Sequence, residues 1–140
     1  MGSVAFLDHT ADVLLQVKAK DLNDLFRTAA QGLVGYVIAN PEEIREEDTD
    51  EVKIQAESLS ELLVNWLNEL IFLIETRHRV YSGFHVEVQE SSMELRGCVI
   101  GERLDSLRHV LDHEVKAITH HEASVMKTSE GWVGQVLMDI

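Results

Sequence analysis

The chain has 140 residues with 12 Lys+Arg and 25 Asp+Glu, a formal charge of −13 with neutral histidines. Its size suits about one domain with an ordinary core, and 45% apolar against 26% charged residues excludes a disordered chain. Protonating all seven histidines would still leave −6, so the chain does not coat DNA or RNA by bulk charge, and its single cysteine, Cys98, excludes an internal disulfide and a CxxC-type zinc site.

The longest unbroken apolar run, Leu70 to Ile74, is far short of a membrane span. The N-terminus lacks the basic and apolar regions of a signal peptide, and Phe6 stands where a myristoylation motif needs Ser or Thr. The expectation is a cytoplasmic protein with no membrane partner. No Ser/Gly-rich linker divides residues 1–140, so one domain is expected.

In chain order, Val13 to Ala19 alternates as a strand does. Asp21 then stands as an N-cap, and Leu22, Leu25, Phe26, Ala29, Ala30, Leu33 and Val37 recur at helical spacing. Asn40-Pro41 closes that segment. Residues 42–53 are the one charge cluster, either a solvated loop and strand start or a docking face for a basic partner. Val52 to Ala56 alternates and precedes a second helix, which opens on the capping box Ser58/Glu61 and carries Leu59, Leu62, Leu63, Trp66, Leu67, Leu70 and Ile74. Both helices open with cap, Leu, polar, acid, Leu, a weak hint of a duplicated strand–helix unit.

Five segments that read as strands follow. Phe84 to Gln89 and Met93 to Ile100 form a hairpin across Ser91-Ser92. Residues 114–119, 123–128 and 132–139 are three more, the last two joined at Glu130-Gly131. Consecutive strands imply antiparallel pairing. The fold class is α+β: two helices packed on a mainly antiparallel or mixed sheet, in the order β-α-β-α followed by several consecutive strands.

No GxGxxG, GxxxxGK[ST], HExxH or GxSxG motif is present, which removes the usual support for nucleotide-binding, metalloprotease and hydrolase readings. Asp8-His9-Thr10-Ala11-Asp12 places two carboxylates, an imidazole and a hydroxyl within five residues. It is either a capped turn before a strand or a site for a hard ion such as Ca²⁺ or Mg²⁺. Asp139, with the α-carboxylate of Ile140, could supply further oxygen ligands. His109 and His113 could hold zinc only on a helix, and their surroundings read as extended. His120 and His121 should point to opposite faces of a strand. Lys116 points outward, or inward to a purpose. Cys98, in an apolar strand, reads as a buried inert thiol.

Taken together, Phe6-Leu-Asp-His-Thr-Ala-Asp12, Trp66-Leu-Asn-Glu-Leu70, Gly101-Glu102, Asp105, His109, Glu114-Val-Lys-Ala-Ile-Thr119 and Asp139-Ile140 resemble the archease family, in family order and across nearly the whole chain. The resemblance implies a non-catalytic protein cofactor of the RtcB-type RNA ligase in tRNA splicing and RNA repair. It would promote ligase guanylylation and multiple turnover. It implies a metal site at Asp12, Asp139 and the carboxylate of Ile140, with Ca²⁺ the usual ion and Mg²⁺ or Mn²⁺ as alternatives. Lys116, with Asp12 and Asp139, matches residues tied to ligase activation. Asp8, His9 and His121 fall in family segments as lesser candidates, and His120 departs from the common tyrosine. The expected partner is the ligase, with no strong direct binding of nucleic acid. The alternative is a chaperone or general modulator, suggested by Phe72 and Ile74 beside the stripe of the second helix. One metal site built from both ends requires the first and last of these strands to pair.

Overall fold

The computed structural model describes residues 2–9 and 12–140, apart from the side chains of Asp8 and His9. Strands β1 (Ser3–His9) and β2 (Asp12–Ala19) lead into helix α1 (Leu22–Val37). A short 3-10 turn at Pro41–Glu43 precedes β3 (Asp48–Gln55) and helix α2 (Leu59–Arg77). Strands β4 (Arg79–Gln89), β5 (Glu94–Arg103), β6 (Ala117–Thr128) and β7 (Gly131–Asp139) complete the chain. The α+β expectation holds. The strands divide into two antiparallel sheets, ordered β1-β2-β7-β6 and β3-β5-β4.

Local chemistry starts both helices. The side chain of Asp21 accepts from Asp24 N, and Ser58 Oγ accepts from Glu61 N at 3.2 Å, each satisfying an N–H that has no partner within the helix. α2 stops at His78, whose left-handed φ of 53° turns the chain directly into β4. The helices lock together where Trp66 Nε1–H donates to the Phe26 carbonyl at 3.0 Å. Gly97 on β5 admits the Trp66 ring, since a Cβ there would sit 3.1 Å from it. On β2, Val13, Leu15, Val17 and Ala19 face the core, and so do Val136 and Met138 of β7.

Two strand expectations need correction. β1 has no counterpart in the pattern analysis: it is an edge strand with Phe6 43% and Leu7 46% exposed, so no alternation of burial marks it. Residues 123–128 and the end of 114–119 belong to one strand, β6, whose pairing to β7 shifts register between Thr119 and Ser124. A left-handed residue, Glu122 at φ 59°, makes that bulge. His120 and His121 lie in the bulge and are both exposed, so opposite faces of a regular strand do not describe them.

Residues 104–116 are irregular between β5 and β6, yet they are pinned at many points. Leu104 N donates to His78 O, Ala39 N to Val110 O, Asp112 N to Val37 O and His113 N to Tyr36 O. Asn40 clasps the loop from both sides, donating to Arg108 O at 2.9 Å and accepting from Val110 N at 2.8 Å. Beneath lies a buried charge network. Glu102, 3% exposed, accepts from Arg45 N at 2.7 Å and pairs with Arg108. His109 accepts at Nδ1 from Asp105 N at 2.9 Å, which leaves Nε2 to donate to Glu102 at 2.9 Å.

Burial alone would raise the Glu102 pKa, but the bonds from Arg45 N, His109 and Arg108 outweigh it and hold the carboxyl at about 2, below the ordinary 4.5. The ionised form therefore stabilises the fold; that contribution is complete above about 4.5 and drains away as pH falls towards about 2. Thermal melts across that range should show wild type losing more stability than Glu102→Gln, and the variant should be weaker by ~3 kcal/mol at neutral pH. Parallel pH profiles for the two proteins would detach this network from acid sensitivity.

Candidate functional site

The antiparallel β2–β7 register sets Asp12 directly opposite Asp139, and the β6–β7 register sets Ala117 opposite Asp139 on the other side. Side chains directly opposite in a sheet share one face. Asp12 and Asp139 thus lie side by side on the face turned away from the Val13–Met138 core row. Both are half-buried, and Ile140, 43% exposed, follows at once. Lys116 sits one residue before β6, exposed, with its N–H donating to Asp139 O at 2.7 Å. The pairing the sequence required between the Asp12 and Asp139 strands is present, and Lys116 joins them.

Asp8 and His9 fall in β1, with His9 the register partner of Asp12; their side chains, and Thr10 and Ala11, lie outside the described residues. His121 sits in the β6 bulge, its Nε2 3.7 Å from a Glu122 carboxylate oxygen. The zinc reading of His109 and His113 has no geometric support, because His109 is buried against Glu102 while His113 is exposed and stacks on Tyr36 at 4.3 Å between ring centroids. Cys98 is half-buried rather than buried, on the face of β5 opposite its core residues Gly97 and Val99.

Two features escaped the sequence. Asn68 of α2 donates to Ile118 O at 3.0 Å and accepts from Ile118 N at 2.8 Å, so its amide imitates a neighbouring strand. Asn68 lies within the Trp66–Leu70 motif, but nothing in its spacing shows what it grips. Thr119 Oγ1 is buried and has no hydrogen-bond partner among the described residues, on the face that carries Ala117 and Asp139.

The oxygen donors favour a hard divalent cation. Among the described residues no three His, Cys, Asp or Glu side chains converge. Asp12 and Asp139 are two, so a resident ion would need the Ile140 carboxylate, water or a partner's group as well.

Beyond this tip, a cavity of about 420 Å³ opens between the C-terminal half of α2 and the 104–116 loop, with Ile71, Leu111, Val115, His78 and His113 in its wall. Phe6, Tyr36 and His113 form a ladder of rings beside it, with 5.1 Å between the Phe6 and Tyr36 centroids.

Residues 5–140 match the model of the Archease protein family (MTH1598/TM1083). The chain belongs to the archease family. It is 33% identical over 138 residues to the Protein archease of Methanosarcina barkeri, covering 96% of this chain and 94% of that one. It is 32% identical over 136 residues to the Protein archease of Pyrococcus abyssi, covering 95% of each. Among solved structures, protein 1598 of Methanobacterium thermoautotrophicum superimposes with a TM-score of 0.85 at 27% identity over 98% of both chains. An archease of Thermotoga maritima, described as a possible chaperone, shares the fold with a TM-score of 0.66 at 17% identity, covering 96% of this chain and 94% of that one. Among the described residues, no helix is long and apolar enough to cross a membrane.

Replacing Asn68 with Ala should leave Ile118 N and O without partners and reduce stability by about 2 kcal/mol. Chemical denaturation measures the loss, and hydrogen exchange at Ile118 should rise more than at Val136. Unchanged exchange at Ile118 would show that Asn68 does not hold this edge.

Proposed function

We propose that this archease-family chain is an activating protein cofactor of an RtcB-type RNA ligase, acting in tRNA splicing and RNA repair by promoting ligase guanylylation and multiple turnover. The observation that carries this reading is the convergence of Asp12, Asp139 and Lys116 at one end of the four-stranded sheet. On this reading the chain is not itself the ligase.

The tip is the working part. Asp12 and Asp139, opposite one another, repel while both are ionised, and a free α-carboxylate on Ile140 would add a third negative group. Asp12, Asp139 and Ile140 would hold a divalent ion, Ca²⁺ by preference and Mg²⁺ or Mn²⁺ as alternatives, which would supply positive charge for stabilising phosphate oxygens. Lys116 carries an exposed side chain on a backbone fixed to Asp139, and its ammonium is suited to pair with a phosphate or an acid of the ligase. The strongly acidic surface suits docking on a basic protein more than holding RNA, and such complementarity mainly speeds encounter.

The test is multiple-turnover ligation by the cognate ligase with substoichiometric amounts of this protein. Asp139→Ala should lower stimulation by about tenfold or more; undiminished stimulation would sink the proposed role of the tip. The chaperone reading predicts the reverse pattern, with protection of unrelated proteins from aggregation and tolerance of Asp139→Ala. Its structural support is mixed, because Ile74 is core at 7% exposure while Phe72 is 46% exposed.

A separate prediction concerns the carboxylate of Ile140. Extending the chain beyond Ile140 turns that group into an amide and should weaken Ca²⁺ binding about tenfold in isothermal titration. Equal affinities would remove Ile140 from the donor set.

A further inference from the structure

The 104–116 loop combines two properties that seldom occur together. Its backbone is fixed by the Asn40 clasp, the Glu102–Arg108–His109 network and an isolated bridge between Ile38 and Leu111. Yet Leu107 is 94%, Val110 55% and Leu111 62% exposed. An irregular loop normally turns polar side chains to water. Here three large aliphatic side chains within five residues stand in solvent on a rigid support, with the apolar cavity beside Leu111 and Val115 left open. Exposed acids line the cavity together with Leu111: Asp112 and Glu114 on the loop and Glu75 on α2. Val115 lines the cavity and the N–H of the next residue, Lys116, donates to Asp139 O, so the cavity wall leads along the chain directly to the acidic tip.

We infer that this loop and its cavity form a second, preformed docking surface for a protein partner whose apolar side chains are flanked by Lys and Arg. Leu107, Val110 and Leu111 supply apolar area, the cavity receives an apolar side chain of the partner, and Glu75, Asp112 and Glu114 face its basic rim. Rigid support keeps affinity from being spent on ordering the loop. The occupant is taken to be the ligase, so the inference rests on the function proposed above. It adds a place where the protein holds on, distinct from the tip residues that would act.

The experiment measures binding of the full chain to the cognate ligase, beside Ca²⁺ titration, thermal melting and sedimentation of the protein alone. Leu107→Ser combined with Leu111→Ser changes only exposed side chains. It should leave Ca²⁺ affinity intact and Tm within a few degrees, and weaken ligase binding by about tenfold or more. Glu114→Lys keeps every apolar atom of the patch and should slow association and flatten its dependence on salt. Ligase binding by wild type with equal affinity from the double serine variant overturns the docking surface and leaves the proposed function standing. An association rate unaffected by Glu114→Lys overturns the basic character of the partner. Absence of ligase binding by wild type overturns both the inference and the function it rests on. A wild-type dimer that the double variant converts to monomer assigns the patch to a second copy of this chain and overturns the ligase as occupant.

Discussion

The register between β2 and β7 is the constraint on which the tip depends. It is set by burial: Val13 faces Met138 and Leu15 faces Val136, all four inside the core. A slip by one residue would turn this whole row to the other face and lose several kcal/mol of apolar burial. Because side chains alternate, the same register delivers Asp12 and Asp139 as a pair on the outer face. Packing that concerns only Val, Leu and Met therefore positions two carboxylates from opposite ends of the sequence. The opposed acids gain nothing from one another, and the apolar row beside them carries the energy that holds them there.

Asparagine does a related job at three places. Asn68 occupies the polar groups of Ile118 on edge strand β6, Asn23 accepts from Val88 N on edge strand β4, and Asn40 grips both Arg108 O and Val110 N. A carboxamide can donate and accept in one plane, as a peptide group does. Two of the clips come from helices and bind strands that would otherwise offer free edges for pairing with other chains. The third fastens a loop with no regular structure of its own. Two of the three grip the chain close to exposed side chains: Asn68 holds Ile118, two residues from Lys116, and Asn40 holds Val110, next to Leu111.

What was legible in the sequence follows the range of the interaction. The caps at Asp21 and Ser58, the apolar stripes of both helices and the hairpin at Ser91-Ser92 depend on neighbours a few residues away, and the structure agrees with them. β1 was illegible because an edge strand with both Phe6 and Leu7 half exposed has no buried side to print a pattern. The bulge in β6 was illegible because a polar run, His120 to Glu122, looks like an interruption between strands until its shared partner β7 is known. The candidate acids stood out as residue types, but their adjacency is a property of β2–β7 pairing, which only the requirement of a joint site suggested. His109 shows another limit: the extended reading of its surroundings argued against zinc with His113, but its actual bond, to Glu102 seven residues earlier, depends on how an irregular loop closes.

The position of β7 explains how Asp139 and the backbone of Lys116 are held together. Strand ends fray when only one neighbour holds them. β7 lies between β2 and β6, and Asp139 has a register partner on each side, Asp12 and Ala117, with Lys116 N bonded to its carbonyl. The loop leading into Lys116 is fixed in turn by the Glu102 network, whose two Glu102 side-chain partners, Arg108 and His109, both belong to that loop. Protonating Glu102 would therefore weaken the loop first and the approach of Lys116 to Asp139 through it. Buried ionic networks are weak evidence for net stability, so the value of this one lies in placement. It fixes an irregular segment in a single arrangement, and that segment carries both the exposed leucines and the lysine of the tip.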